Sequence, residues 1–373
     1  MTPNLLQLLR TQSATVNSEF RPTFFRLSVE EDYRSLSSLL SNESNIRVHD
    51  TIMIQLRDLV KLENPSRILS EQDYNQLVKE KLGECQPEQY GVWVYYPWIK
   101  SLCHILDKEE FIKVRTVRNR FKITDSEQSL LRSKKIGIVG LSVGQTIALA
   151  IALENLAGEI RIADFDILEL SNFNRIRTSL TNLSKPKSIV VAREISQIDP
   201  YIKVVVFEDG LNVENTNKFL EEDGKLDLLI DECDSLKTKI DLRIASRKSR
   251  IPVVMDTSDN LTIDIERYDK EPNRAIFHGL VNEQELNTKN SIVDPQQVLM
   301  QILEVDKLSQ RGRMSIGEIG KSITTWPQLA SDVICGSGFT SKIVRNILLG
   351  EDIPSGRFRI DLMELLKNEI KYQ

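Results

Sequence analysis

Acidic, amide and cationic side chains follow one predicted strand in quick succession: Asp164, Asp166, Asn172 and Arg175. This strand is the second of a unit that opens with the apolar strand Lys135–Val139 and the turn Gly140-Leu-Ser-Val-Gly144. An acid about twenty residues after such a turn is placed to bind ribose hydroxyls, which is the role we predict for Asp164. The other three side chains suit a triphosphate better than a hydride carrier, because phosphate oxygens need cations and hydrogen-bond donors.

Apolar runs alternate with helical patterns through the second part of the chain, which is typical of an α/β fold. We predict a Rossmann-like, mostly parallel sheet with helices on both faces, in a domain that spans residues 106–373. Residues 1–105 are predicted to form a mainly helical N-terminal domain, because three stretches show helical spacing of apolar residues: Val29–Leu40, Thr51–Leu62 and Ser70–Leu82. The aromatic cluster Gly91–Trp98 is expected to pack this domain on the next one.

The C-terminal third carries weaker patterns. Added strands are expected at Ile263–Tyr268, Ala275–His278 and Phe358–Leu362, and a helix at Gly338–Leu349. The polar stretch Asn282–Asp294 and the segment Ser309–Trp326 are the most loop-like.

The composition argues against several classes of protein. The net charge is −5 and both signs are well mixed, so nothing indicates nucleic-acid binding. No apolar run approaches the roughly 18 residues of a membrane span, and the N-terminus lacks the shape of a signal peptide. The cysteines lie far apart, which fits a reducing cytoplasm better than a disulfide scaffold: Cys85, Cys103, Cys233 and Cys335.

The polar residues in the α/β region resemble a known pattern. The residues that carry the resemblance are Asp164, Asp166, Ser171, Asn172, Arg175, Lys187 and Asp234. Their order and spacing are similar to those of the ThiF/MoeB/HesA family, the bacterial relatives of ubiquitin-activating enzymes. The resemblance covers roughly Arg115 to Leu349, and its glycine turn is one residue shorter than usual. The whole chain is similar to the ThiF-like half of bacterial proteins that fuse such a domain to a nitroreductase-like one.

The resemblance implies ATP-dependent adenylation of a carboxylate, in which both reacting anions must be neutralised. Arg175 and Lys187 would hold phosphate oxygens, and Asp234 would hold Mg²⁺. The remaining residues implied to contact the nucleotide are Gly140, Ser142, Gly144, Asp164, Asp166, Asn172 and Lys239. Many relatives carry a structural zinc on two Cys-x-x-Cys pairs; this chain has no such pair, so no zinc is expected.

In the family, an arginine upstream of the first strand reaches into the nucleotide site of the partner subunit. The candidates here are Arg115, Arg118 and Arg120, of which Arg118 and Arg120 are favoured. The resemblance therefore implies a homodimer.

A catalytic cysteine is not predicted. In relatives that form a thioester, the thiol lies in a loop crossing the active site, and the corresponding segment Ser309–Trp326 contains no cysteine. We expect the acyl-adenylate to be intercepted by an outside nucleophile. The carboxylate implied by the family is the C-terminus of a ubiquitin-like or sulfur-carrier protein. A peptide C-terminus, a small-molecule carboxyl and a tRNA-borne carboxyl are the alternatives.

Three other interpretations remain open. Gly140-x-Ser142-x-Gly144 is also the spelling of a nucleophile elbow, and a serine hydrolase would use Ser142 with Asp231 or Asp234 and His278. A nicotinamide-dependent dehydrogenase is disfavoured, because Ser142 and Gln145 replace the fingerprint glycines. A degenerate family member that binds nucleotide, or nothing, and acts as a scaffold is the third.

Overall fold

A seven-stranded sheet organises the α/β region of this computed structural model, which describes residues 18–257, 259, 261–283 and 295–361. Its strands are β5 (Lys135–Val139), β6 (Glu159–Ala163), β7 (Lys203–Phe207), β8 (Leu228–Asp231), β9 (Val253–Asp256), β10 (Ile263–Glu266) and β11 (Gly356–Phe358). The order across the sheet is β11-β10-β9-β8-β5-β6-β7. The five strands from β9 to β7 are parallel, and β10 and β11 join antiparallel at one edge.

The strand order reverses at β5. The chain runs outward from β5 through β6 to β7, and then returns to place β8 on the other side of β5. The crossovers start on opposite sides of this point, which leaves a crevice at the carboxyl ends of β5 and β8.

Helices cover both faces of the sheet, as predicted. They are α5 (Asp125–Leu131), α6 (Gly144–Glu154), α7 (Lys187–Ile198), α8 (Thr216–Glu221), α9 (Leu236–Lys248), α10 (Pro295–Leu303), α11 (Gln310–Ile316) and α12 (Ala330–Leu348). One apolar core joins α6, α7 and α12 to one face of the sheet. A second core joins α8, α9 and α10 to the other face. None of the described helices combines the length and hydropathy that a membrane crossing requires.

The N-terminal region is mainly helical, as predicted, but it also contains a small sheet that the sequence analysis missed. Its helices are α1 (Glu30–Asn42), α2 (Ile52–Glu63), α3 (Glu71–Leu82) and α4 (Lys108–Arg115), and its strands are β1 (Thr23–Phe25), β2 (Arg47–Asp50), β3 (Val92–Tyr96) and β4 (Ser101–Ile105). The sheet order is β1-β3-β4-β2. The aromatic cluster is strand β3, and all five of its residues are buried. A strand buried on both faces lacks the apolar–polar alternation by which strands are found in a sequence.

Aromatic hydroxyls connect the two regions. The Tyr96 hydroxyl donates to the Ser196 carbonyl on α7 at 3.2 Å. The Tyr201 hydroxyl donates to the Leu106 carbonyl at 2.9 Å. The Tyr96 contact agrees with the packing role expected for the aromatic cluster, whereas the domain boundary at residue 105 remains a prediction.

Four elements in the C-terminal third differ from expectation. The last strand is Gly356–Phe358 rather than Phe358–Leu362. Ala275–His278 is not a strand: a 3-10 turn, Ile276–Gly279, holds Phe277 and His278 at φ values of 48° and 59°. The Phe277 amide donates to the buried Glu266 carboxylate at 2.7 Å, which fixes this left-handed backbone. Part of Ser309–Trp326 forms α11, and α12 begins eight residues before the predicted helix Gly338–Leu349. Most of Asn282–Asp294, and Leu362, lie outside the described residues.

Candidate functional site

A cleft opens at the carboxyl ends of β5, β6 and β8, where the strand order reverses. Its walls are Val139, Gly140, Leu141, Ser142, Ala163, Asp164, Phe165, Asp166, Lys187, Gly210, Leu211, Glu232, Cys233, Asp234, Ser235 and Thr238. Open α/β sheets bind ligands at such a switch point. The structure thus brings together six of the predicted site residues: Gly140, Ser142, Asp164, Asp166, Lys187 and Asp234.

The glycine turn lets β5 pass directly into α6 beside the loop that follows β8. Gly140 has a φ of +88°, and a Cβ there would collide with the peptide between Glu232 and Cys233. At Gly144 a Cβ would lie 3.0 Å from the Ile138 side chain, so glycine allows α6 to approach the sheet closely. The turn leaves the N-terminus of α6 at the cleft, where backbone N–H groups and the helix dipole favour an anion.

Gly140→Ala is expected to lower the free energy of unfolding by about 2 kcal/mol or more. Left-handed backbone costs alanine about 1–2 kcal/mol, and the collision with the Glu232–Cys233 peptide adds to that cost. Gly350→Ala is the matched control, because Gly350 has a φ of +87° but open space around it. Urea denaturation of both variants measures the difference. If both variants lose the same free energy of unfolding, the glycine turn is not in tight contact with the loop after β8.

Asp164 anchors the turn that follows it while facing the cleft. One carboxylate oxygen, Oδ2, accepts the Leu141 N–H at 2.6 Å, and the other, Oδ1, accepts the Asp166 N–H at 2.7 Å. Burial raises the pKa of Asp164, while the Lys187 ammonium and the two N–H groups oppose that rise. Each oxygen keeps a second lone pair, which is what accepting ribose hydroxyls requires.

Lys187 begins α7 and directs its ammonium to Asp166. The Lys187 Nζ lies 2.8 Å from Asp166 Oδ2, and the lysine side chain is only 8% exposed. The Lys187 amide also donates to the Asp166 carbonyl at 2.9 Å. The structure therefore places Asp166 as a brace for the lysine, whereas the resemblance implied a contact with the nucleotide.

Arg175 lies beside the glycine turn. Its Nε donates to the Ser142 hydroxyl at 3.0 Å. Burial lowers the pKa of Arg175, and the negative charge of Asp234 opposes that decrease. The Asn172 side chain accepts the Glu169 N–H at 3.0 Å, which braces the 3-10 turn Leu170–Asn172 before Arg175. The structure thus gives Asn172 a supporting contact, whereas the sequence had predicted it beside the phosphates.

Only one of the three acids after β8 is exposed. Asp231 is fully buried against Arg243, and Lys239 lies 3.5 Å from its Oδ2. Glu232 is 9% exposed and accepts the Asp256 N–H at 2.7 Å, and burial together with Asp256 raises its pKa well above the usual value. Asp234 is exposed at the cleft. This placement agrees with the choice of Asp234 as the acid that meets a ligand.

This arrangement suits a magnesium ion that binds together with a phosphate-bearing molecule. In the described part of the chain, no group of three or more His, Cys, Asp or Glu side chains could hold a metal ion. Mg²⁺ in nucleotide sites is typically bound by one or two carboxylates, phosphates and waters. The exposed carboxylate of Asp234 suits that mode rather than an all-protein cage.

Three predicted nucleotide-binding residues lie elsewhere. The Lys239 ammonium contacts Asp231 and, at 3.3 Å, the Met255 sulfur, because the buried Asp231 carboxylate attracts it behind the cleft. Arg118 and Arg120 line a separate groove with Lys61, Arg67 and Phe121. Arg120 also pairs with Asp125 at 3.2 Å.

Contacts of other predicted residues bear on the alternatives. Arg115 donates to Asp199 at 2.8 Å and to carbonyls at the end of α6, so its position is structural. Both ring nitrogens of His278 are engaged, one by Asp264 at 3.0 Å and the other by Arg274. The Ser142 hydroxyl is engaged by Arg175. The structure therefore gives Ser142 and His278 different partners from those a hydrolase would need.

Gly210, Leu211 and Thr238 line the cleft without having been predicted. Gly210 follows β7, the third parallel strand on its side of the switch point. The rule that ligands bind at the carboxyl ends of parallel strands would have identified it. Thr238 is on the first turn of α9, and nothing in its sequence context distinguishes it.

Comparisons with known proteins give several matches. The model of the ThiF family matches residues 116–317, more than half of the chain. The Mycobacterium tuberculosis (strain CDC 1551 / Oshkosh) protein "Uncharacterized protein MT1398" is 41% identical over 281 residues, which are 75% of this chain and 39% of that protein. The tRNA threonylcarbamoyladenosine dehydratase of Haemophilus influenzae is 27% identical over 133 residues, 35% of this chain and 50% of that protein. The chain spans half or less of the length of these two relatives.

Solved structures with a similar arrangement share little sequence with the chain. The E. coli tRNA N6-threonylcarbamoyladenosine dehydratase TcdA in complex with ATP is 19% identical, with a TM-score of 0.45 over 66% of this chain and 98% of that chain. E. coli MccB with ATP is 13% identical, with a TM-score of 0.46 over 83% of this chain and 86% of that chain.

Proposed function

The chain belongs to the ThiF family, and we propose that it activates a carboxylate with ATP, forming an acyl-adenylate and releasing pyrophosphate. The observation that carries this proposal is the cleft at the switch point, whose walls include Asp164, Lys187 and Asp234. An acid for the ribose, a cation for the phosphates and an exposed acid for Mg²⁺ correspond to the three parts of Mg·ATP.

The chemistry requires that two anions meet. A carboxylate oxygen attacks the α-phosphorus of ATP, and the bond from that phosphorus to the bridging oxygen of pyrophosphate breaks. Lys187 and Arg175 would neutralise charge on the phosphate oxygens as it develops, and the N–H groups of the glycine turn would add donors. Mg²⁺, when bound at Asp234, would neutralise the leaving pyrophosphate.

The acyl group is proposed to pass to an outside nucleophile. Cys233 lines the cleft, but its thiol donates to the buried Asp231 carboxylate at 2.9 Å, and burial raises its pKa. A thiol is a poor nucleophile until it ionises, so Cys233 is badly placed for a thioester. Cys335 lies on α12, and Cys85 and Cys103 lie in the N-terminal region.

The proposed substrate is the C-terminal carboxylate of a ubiquitin-like or sulfur-carrier protein, or of a peptide. The proposed active unit is a homodimer in which Arg118 or Arg120 reaches the partner's nucleotide. Within one chain these arginines line their own groove, and an intermolecular role is compatible with that position. All four cysteines are free thiols, which supports a location in the reducing cytoplasm.

Mg·ATP is expected to bind the intact protein, and Asp164→Ala is expected to weaken that binding at least about tenfold. The substitution removes the acceptor for the ribose and also frees the Leu141 and Asp166 N–H groups. Titration calorimetry measures the affinities, and thermal unfolding checks that the variant is folded. Asp58→Ala is the matched control, because Asp58 is an exposed acid on α2, far along the chain from the cleft.

Binding that the Asp164 substitution abolishes would justify screening candidate carboxylates by ATP–pyrophosphate exchange. If the intact protein shows no binding of Mg·ATP, adenylation is ruled out. The scaffold interpretation would then be favoured.

A further inference from the structure

A second cavity, which we call the seam cavity, lies between the N-terminal region and α7. Its volume is about 490 Å³, and its walls include Trp98, Leu149, Arg177, Val190 and Glu194. It shares no lining residue with the cleft described above. Small-molecule sites commonly have volumes of about 300–1,000 Å³ and combine apolar walls with a few polar groups.

Glu194 supplies a carboxyl group that is largely buried in this wall. Its Oε2 accepts the Gln145 amide at 2.6 Å. Burial raises the pKa of Glu194 to about 7, although Gln145 and the Arg177 guanidinium favour the ionised form. Among the described residues no cation pairs directly with Glu194, and a buried carboxylate without such a partner is costly, so a ligand that brings a positive charge to Glu194 would recover that cost.

Arg177 supplies the opposite charge from the loop that follows Arg175. Its side chain is exposed, and among the described residues it forms no ion pair, although its charge favours the ionised form of Glu194. Arg193, the other guanidinium in the wall, is committed to the fold. It is 6% exposed, donates to the Glu19 carbonyl at 2.7 Å and lies 5.5 Å from the centre of the Trp98 ring. Arg177 is therefore the cation open to a ligand.

We propose that the seam cavity binds a free α-amino acid. The ammonium group of the ligand would pair with Glu194, its carboxylate with Arg177, and its side chain would pack against Leu149, Val190 and Ile198. A zwitterion matches one carboxyl and one guanidinium in the same cavity, whereas a simple anion or a simple amine satisfies only one of them. This site is independent of the adenylation chemistry proposed above.

The test is titration calorimetry of the full chain with each of the standard amino acids at about pH 8, where Glu194 is ionised. At least one apolar amino acid is expected to bind, and its analogues without the amino group or without the carboxylate should bind at least about tenfold more weakly. No binding by any amino acid up to ~10 mM would overturn the proposal.

Two substitutions assign the contacts. Glu194→Gln, which keeps the shape of the side chain, should weaken binding of the amino acid but not of its deaminated analogue. Arg177→Ala should weaken binding of the amino acid but not of the decarboxylated analogue. Glu208→Gln, at an exposed acid outside the cavity, should change neither affinity. If neither Glu194→Gln nor Arg177→Ala changes the affinity for the amino acid, the assignment of the contacts is wrong. Thermal unfolding verifies that each variant is folded.

The pH dependence is an independent readout. Affinity for the amino acid should fall about tenfold per unit as the pH decreases below about 7, because Glu194 must be ionised to hold the ammonium. Arg177 and Arg193 are the charged groups in the same wall, and neither guanidinium titrates in this range. A flat profile from about pH 8 to pH 5 would remove Glu194 from the site.

Discussion

Arg243→Met is expected to lower the free energy of unfolding by about 3–5 kcal/mol. Arg243 on α9 is fully buried, and so are the two carboxylates with which it pairs, Asp231 and Glu266. Its guanidinium also lies 4.0 Å from the centre of the Phe277 ring. Methionine fills much of the volume but removes the guanidinium that pairs with both acids. Losing one partner of a buried ion pair costs more than the pair itself contributes, because the remaining charge cannot return to water.

Arg247→Met is the matched control for this prediction. Arg247 lies one helical turn further along α9 and pairs with Glu283 at 2.7 Å, but both side chains are about one-quarter exposed, at 23% and 25%. Pairs that remain in contact with water are typically worth about 0–1 kcal/mol. Urea denaturation of the two variants measures the difference. The interpretation fails if Arg243→Met costs no more than Arg247→Met.

The same substitution should also make stability depend on pH. In the intact protein, burial tends to raise the pKa of Asp231, but Lys239 and Arg243 hold it below the usual value. Burial already raises the pKa of Glu266 in the intact protein, and without Arg243 the pKa of Asp231 should rise and that of Glu266 should rise further. A raised carboxyl pKa adds stability at low pH that is lost as the pH rises through the folded-state value. The variant should therefore regain more stability than the intact protein between about pH 7 and pH 5, because in the intact protein only Glu266 has a raised pKa and Asp231 has a lowered one.

The buried pair also supports the cleft. The Asp231 Oδ1 accepts the Cys233 N–H at 3.2 Å, and Asp234 is the next residue. If Arg243 is lost, Asp231 is free to shift, and the loop that presents Asp234 shifts with it. A fall in affinity for Mg·ATP in Arg243→Met, at a temperature where the variant is folded, would link this network to the proposed metal contact.

The sequence predicts the parallel part of the large sheet well because each strand is a short apolar run between helical patterns. Strand β5, for example, begins and ends at the predicted residues, Lys135 and Val139. The antiparallel edge of the sheet was harder to predict. No spacing rule distinguishes the strand Ile263–Glu266 from the left-handed turn at Phe277 and His278. That turn depends on a bond from the Phe277 amide to the Glu266 carboxylate, which only the folded chain brings together.

In the candidate site, too, some features can be predicted from the sequence and others cannot. Residues that follow strands, such as Asp164 and Asp234, can be placed from sequence because parallel strands end at one edge of the sheet. The direction in which a long side chain points cannot be placed this way. Lys239 turns to the buried Asp231, and Asp166 pairs with Lys187, because these charges are the nearest partners in the folded protein.

Lys187→Ala is expected to weaken the binding of Mg·ATP about 10- to 100-fold, because a hydrogen bond to a charged group contributes about 1.5–3 kcal/mol. The ammonium is almost fully buried at the wall of the cleft, so solvent screens it little. Titration calorimetry measures the affinity, and the substitution should change the proposed adenylation rate in the same direction.

Asp166→Asn distinguishes whether Lys187 contacts phosphate or only braces the loop between β6 and α7. In the described structure the lysine is paired with Asp166 at 2.8 Å. If phosphate competes with Asp166 for the ammonium, removing the negative charge should leave affinity for Mg·ATP unchanged or raise it, because the lysine is released and a repulsive acid is lost. If Lys187 serves only to brace the loop between β6 and α7, Asp166→Asn and Lys187→Ala should weaken binding alike. The two substitutions thus have opposite expected effects if Lys187 contacts phosphate, and equal losses would assign the lysine to structure alone.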